Sequence, residues 1–221
     1  MDYKNVLLFS LISLSLSLEA QEERKEISHY ILPEFTNGTV LMKNGTKHQA
    51  LLNYNTVTEE MIFDQNGEKL ALAEVTLNQL DTVFIQDRKF ILIDNKKFAE
   101  IIGQNGYSLL VQYKCRVIPP GKPSAYGGTS QTTSTTSYSS WMGEGKMYQL
   151  KLPDDFKINP YKVYWIDKGA GRKSFSSMGQ IKKFYNKQKA LYNNYTKDNK
   201  VDFGEQESIA GLIHYMETNS R

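Results

Sequence analysis

The chain has 221 residues, with 27 Lys and Arg against 24 Asp and Glu, three His and a single Cys. At 40% hydrophobic and 23% charged residues it can bury a sizeable core, which excludes a disordered polymer, a collagen-like chain and a disulfide-stapled miniprotein. A net charge of +3 carries no overall bias toward nucleic acid.

The front of the chain reads as an address. Met1 to Asn5 is a short polar start with one Lys, and Val6 to Leu18 is an uncharged, mostly Leu, Ile, Val, Phe and Ser run. As a helix that run spans about 20 Å, short of a bilayer core of roughly 30 Å. Residues 1–20 are therefore expected to be a secretory signal peptide cut after Ala20, not a membrane anchor. Residues 21–221 are expected to form one domain, because no linker separates their parts.

From about residue 38 to 175 the pattern is β. Gly38–Lys43 and Thr46–Tyr54 flank Asn44-Gly45, which predicts a type I′ hairpin turn. Glu60–Asp64 and Glu68–Ala73 flank Gln65-Asn66-Gly67, and Asp81–Gln86 and Lys89–Asp94 flank Asp87-Arg88. Tyr107–Ile118, Lys146–Leu152 and Tyr161–Asp167 follow, all rich in aromatic and branched residues. Short strands, tight turns and no helix between them predict antiparallel pairing. Cys115, in the middle of one such strand, reads as a small buried hydrophobe. Between two strands, Pro119-Pro120-Gly121-Lys122-Pro123 opens a Gly-, Ser- and Thr-rich stretch that predicts a long surface loop over 119–140.

The last fifty residues change period. After a cap at Ser176 or Ser177, Ile181, Phe184, Tyr185, Leu191, Tyr192 and Tyr195 fall within an arc of about 120° at helical spacing. Lys182, Lys183, Lys187 and Lys189 lie outside that arc. A second helix over Glu205–Glu217 carries Ile209, Leu212, Ile213 and Met216 on one face, with Glu205 and Glu207 in its first turn. The fold class expected is α+β: a twisted antiparallel sheet, sandwich or half-barrel like, with two C-terminal α-helices.

At Gly38–Gly45, Leu51–Asn55, Glu60–Phe63, Asp81–Ile85 and Lys89-Phe90 the chain resembles secreted and envelope proteins of Bacteroidota. Those proteins carry a signal ending in Ala-Gln, a β-rich body and a Lys-rich helical tail. The resemblance rests on hairpin and core residues and carries over no site residue. It implies a periplasmic, outer-membrane-associated or extracellular setting. In that setting Asp81-Thr82-Val83 looks like an Asp-Thr-aliphatic acceptor, which implies O-glycosylation at Thr82.

Little in the chain reads as catalytic. His29, His48 and His214 have no paired spacing, so no metal site is expected. There is no nucleophile elbow and no phosphate-cradling glycine loop, so no cofactor is expected either. The adjacent carboxylates Glu59-Glu60 and Asp154-Asp155 do not by themselves make an acid–base pair. Two features remain. Tyr126, Tyr138 and Trp141 bracket the long loop, where aromatics stack on sugars or grip a protein. From Lys168 to Lys197 there are eight basic residues and no acidic one, so Lys182, Lys183, Lys187 and Lys189 form a candidate patch for an anionic surface. The expected role is a non-catalytic binding module with an envelope protein or glycan as partner and no nucleic acid. The alternatives are a hydrolase of envelope polymers and a membrane-surface assembly protein that uses the basic helix.

Overall fold

The computed structural model describes residues 29–94, 96–118 and 157–220, with two short pieces at 122–123 and 129–130. The expected leader, the expected strand Lys146–Leu152 and most of the expected 119–140 loop lie outside the described residues. Within that loop one antiparallel pair is present, β9 (Lys122–Pro123) with β10 (Thr129–Ser130).

The body is a ten-stranded antiparallel sheet. Its strands are β1 (Thr36–Met42), β2 (Lys47–Asn55), β3 (Glu60–Gln65), β4 (Glu68–Ala71), β5 (Leu80–Ile85) and β6 (Arg88–Asp94), then β7 (Lys97–Gln104), β8 (Ser108–Ile118), β11 (Lys157–Asp167) and β12 (Arg172–Phe175). Their spatial order is β12-β11-β8-β7-β6-β5-β1-β2-β3-β4. Two meanders thus run outward in opposite directions from the central β1–β5 pair. A short helix, α1 (Glu74–Gln79), links them and buries Leu77, where no helix was expected between strands. The spine is β8, paired with β11 over eleven consecutive positions from Ile118↔Lys157 to Ser108↔Asp167.

The turns follow local chemistry, with corrections. Asn66 (φ 55°) and Gly67 (φ 93°) form the two-residue type I′ link of β3 to β4. At Asn44-Gly45 only Gly45 is left-handed (φ 86°), and its N–H donates to the Met42 carbonyl at 2.9 Å. That is a type I turn closed by a left-handed glycine, not type I′. The β5–β6 turn falls on Gln86-Asp87, one residue earlier than expected, with Gln86 at φ 55°.

The ladder pairs draw one row of side chains straight across seven strands: Val40, Val83, Phe90, Glu100, Val111, Tyr164 and Phe175. Partners opposite one another share a face, so this row lies on one side of the sheet. Every member is buried. Two apolar clusters fill that side. One joins Val40, Leu52, Tyr54, Met61, Leu77, Ile85, Phe90 and Phe98; the other joins Leu109, Val111, Tyr164, Ile166 and Phe175 to the C-terminal helices. Gly38 packs against Leu52 of the first cluster. A Cβ there would meet the Phe84 carbonyl oxygen at 2.6 Å, so β1 and β5 approach as closely as glycine allows.

The sheet folds back on itself, β3 meeting β7 across the ladder order. The β7–β8 ladder ends at Glu100↔Val111, and beyond it the β2–β3 turn takes the ladder's place. The Phe98 N–H donates to the Glu59 carbonyl at 2.9 Å. The Tyr54 hydroxyl, fully buried, lies 2.9 Å from the Tyr113 carbonyl and 3.2 Å from that of Phe98. A hairpin from one end of the sheet is thereby wedged against strands near the other.

Three helical segments cover the second cluster: α2 (Met178–Phe184), α3 (Lys189–Asp198) and α4 (Gln206–Asn219). Ser177 caps α2 by accepting the Gln180 N–H. The single helix expected from there to Tyr195 is broken at Tyr185 by a 3₁₀ turn, Asn186–Gln188, where Asn186 is a poor helix former. α4 buries Ile209, Leu212, Ile213 and Met216, at the i, i+3, i+4, i+7 spacing of one helical face. Burying each such side chain fully stabilises by about 1.5–3 kcal/mol. No described helix is long and apolar enough to cross a membrane.

Candidate functional site

An open concavity of about 690 Å³ lies at the sheet end where the β7–β8 and β11–β12 turns stand side by side. Gly106 (φ 69°) and Gly169 (φ 82°) set those turns, both in the left-handed region. Gln104, Asn105, Ser108, Asp167 and Lys168 line the opening, and Tyr107 forms its inner wall. Amides, a hydroxyl, a carboxylate and an ammonium therefore meet around one cleft.

Each charged group there is already oriented. Asp167 accepts the Gly169 N–H at 2.8 Å and the Arg172 Nε–H at 3.1 Å. The Gly169 bond, then Arg172, hold its carboxyl below the ordinary carboxylate value. Lys168 reaches Glu217 of α4 at 2.7 Å and lies over the Phe184 and Tyr185 rings at 5.4 and 5.8 Å. Glu217 also accepts the Tyr185 hydroxyl at 2.5 Å. The Tyr107 hydroxyl stands 3.5 Å from His214 Nδ1, and burial, then the Glu217 charge, push its pKa up. The sheet end and α4 are thus tied through Lys168 and Glu217.

A second polar cluster belongs to the wedge. Glu59 is 7% exposed and adopts φ 64°, a left-handed conformation that costs a non-glycine residue about 1–3 kcal/mol. Its carboxylate pairs with Lys114 at 2.7 Å and Lys97 at 3.5 Å, and accepts from the Gln112 amide. Gln112 in turn accepts the Trp165 indole N–H at 3.2 Å. Glu60, the neighbouring carboxylate, pairs with Lys96 at 3.0 Å. At the seam of the two apolar clusters, Arg88 grips Glu100 through Nε (3.1 Å) and Nη2 (2.7 Å), and Tyr113 adds a hydroxyl at 2.5 Å. Gln206 at the start of α4 meets the same hydroxyl at 2.6 Å. These carboxylates are held by cations, so both clusters are braces for the curl.

The residues singled out from the sequence are dispersed. Tyr126, Tyr138 and Trp141 lie outside the described residues. Lys182, Lys183, Lys187 and Lys189 are all exposed, and none meets a carboxylate among the described residues. Thr82 sits on β5, 3% exposed, its hydroxyl donating to Asp81 at 2.9 Å. His48 lies exposed on β2, far in the chain from His214 on α4. Among the described residues no three His, Cys, Asp or Glu converge as metal ligands. Cys115 is half-buried rather than core, and burial pushes its thiol up.

The groove itself was missed by the sequence reading, although Asn105-Gly106 is a strong turn signal. The signal goes unused unless β7 is recognised before it. The chain matches no protein-family model, no curated protein and no solved structure.

Proposed function

We propose that the protein is an exported envelope or extracellular protein, in a Gram-negative setting of the Bacteroidota kind, that works by binding a glycan. The leader supports export. The curled sheet serves as a half-barrel with its C-terminal helices packed over one side, and the turns at one end of the strands are the binding end.

The groove carries this reading. Two glycine-set turns hold Asn105, Gln104 and Ser108 beside the oriented Asp167–Lys168 pair. Side-chain amides and carboxylates each engage two atoms at once, which suits the adjacent hydroxyls of a sugar. An array of envelope and extracellular glycans, probed with wild type and with the double variant Asn105→Ala/Ser108→Ala, tests it. Loss of two neutral hydrogen bonds weakens a saturable ligand about tenfold or more. Equal binding by the double variant, or no saturable glycan, overturns the reading. Amino-terminal sequencing of the exported protein tests the leader, with Gln21 expected first.

A second reading, contact with an anionic membrane surface, is favoured by the exposure of Lys182, Lys183, Lys187 and Lys189 on an acid-free segment. It requires salt-sensitive sedimentation with anionic vesicles that the fourfold Gln variant abolishes.

A further inference from the structure

A second concavity, about 380 Å³, lies between the edge strand β12 and α2. Phe175 and Phe184 form its floor, their rings 5.2 Å apart and edge to face. Lys173, Gln180 and Lys183 rim it, all exposed. We propose that this groove binds a phosphate-bearing ligand, independently of the glycan groove.

The chemistry of the rim is one-sided. The Gln180 side-chain oxygen accepts both the Ser176 N–H at 2.7 Å and the Ser176 hydroxyl at 3.3 Å. With its acceptor so engaged, the amide has its NH₂ left to offer. Lys173 and Lys183 meet no carboxylate among the described residues, and no Asp or Glu occurs between Lys168 and Lys197. Two ammonium groups and an amide NH₂ therefore rim one space, while Ser174, next to Lys173 on the strand, belongs to the opposite face.

A phosphate monoester presents three acceptor oxygens and close to two negative charges near neutral pH, which answers that donor set. A carboxylate, with two oxygens and one charge, would leave part of it unused. The aromatic floor suits the carbon portion of the ligand. A purely solvated lysine face explains Lys187 and Lys189 equally well, but it explains neither the concavity nor the fixed amide between Lys173 and Lys183.

The test is amide-resolved NMR titration of the full protein with inorganic phosphate and with glycerol 3-phosphate, against chloride at matched ionic strength. Saturable shifts are expected at Ser174, Ser176, Gln180 and Lys183. The deciding variant is Gln180→Glu. It keeps an oxygen for Ser176, so the fold and the α2 start are retained, but it replaces the donor by a negative charge. Affinity should fall about tenfold or more, the loss expected for a charge-assisted bond. The double variant Lys173→Gln/Lys183→Gln should lose binding as well, and Lys187→Gln/Lys189→Gln should retain it. Non-saturable shifts, or equal losses in both lysine pairs, overturn the proposal.

Vesicles of phosphatidylcholine with phosphatidic acid, whose headgroup is a phosphate monoester, distinguish the sources of the phosphate. Vesicles that compete with glycerol 3-phosphate and release Gln180→Glu identify a lipid headgroup. Soluble phosphates that bind where vesicles do not identify a free phosphate ester. Vesicle binding indifferent to Gln180→Glu, with no groove shift from soluble phosphate, overturns the site.

Discussion

The Tyr54 hydroxyl lies 2.9 Å from the Tyr113 carbonyl, a bond that joins the β2–β3 hairpin to the spine of the sheet. It stands where the β7–β8 ladder has opened, its one proton within reach of two carbonyls. Removing the oxygen alone is therefore informative. Tyr54→Phe keeps the ring, which stacks on Phe90 at 5.8 Å, and removes a buried donor from the Tyr113 carbonyl. The expected loss is about 1–3 kcal/mol, seen as a lower urea midpoint with an unchanged slope. An unchanged midpoint would mean that the Glu59–Phe98 backbone bond closes the curl without help from Tyr54.

Arg88 and Glu100 test the seam between the two apolar clusters. Glu100 is 6% exposed and lies in a row of otherwise uncharged residues, so its charge is tolerated because Arg88 covers it with two bonds. Arg88→Met strands that carboxylate, at a cost of about 3–5 kcal/mol. Replacing both, Arg88→Met with Glu100→Met, should recover most of the loss, because a paired burial exchanged for an apolar one is near neutral. A double variant as unstable as the single one would sink this account and point to Tyr113 and Gln206 as the groups that need Glu100.

The same pair explains which strands were legible in the sequence. β1 to β6, β8 and the second half of β11 announce themselves through branched and aromatic residues and turn dipeptides. β7 does not, because Glu100 interrupts its apolar face and a bulge between Ile101 and Gly103 shifts its alternation. A charge buried by a partner twelve residues away has no local signature. β12 offers Phe175 as its one buried residue, too little for a periodic signal. The helices were legible from Ile181 and Ile209 onward, but the 3₁₀ break at Asn186 was not. Both grooves lie beside elements that carried no signal: one after β7, the other along β12. The wedge at Glu59 depends on contacts between distant strands, which no spacing in the sequence records.

Burial of tyrosines sets the alkaline limit. The chain has 14 of them. Burial pushes Tyr30 and Tyr164 up to about 12, with Glu205 and Asp202 adding to the effect at Tyr164. Tyr54, Tyr113 and Tyr185 are pushed higher still, again by burial first. A raised folded pKa stabilises fully below the unfolded value, about 10 for tyrosine, and that contribution is lost as pH rises through the folded value. Ultraviolet titration should therefore show a late phase, delayed to about 12 or beyond and coincident with unfolding. One phase near 10 with the far-ultraviolet signal intact would contradict the burial.

Asp167 gives the acid counterpart at the glycan groove. Its carboxyl is held below the ordinary value by the Gly169 N–H first and by Arg172 second. A depressed folded pKa contributes stability above the unfolded value, about 3.9 for Asp, and that contribution is lost as pH falls through the folded value. The group is half-buried in a surface turn, so the effect is confined to the turn and weakened by salt. The Gly169 amide resonance should titrate with a midpoint below that of a free Asp, and glycan affinity should fall over the same range. Asp167→Asn should remove the titration while Gly171 (φ 113°) still allows the turn to form. A Gly169 midpoint at or above the free value would show that the bond does not hold the turn. Glycan affinity that stays flat while Gly169 titrates would separate the turn from the binding site.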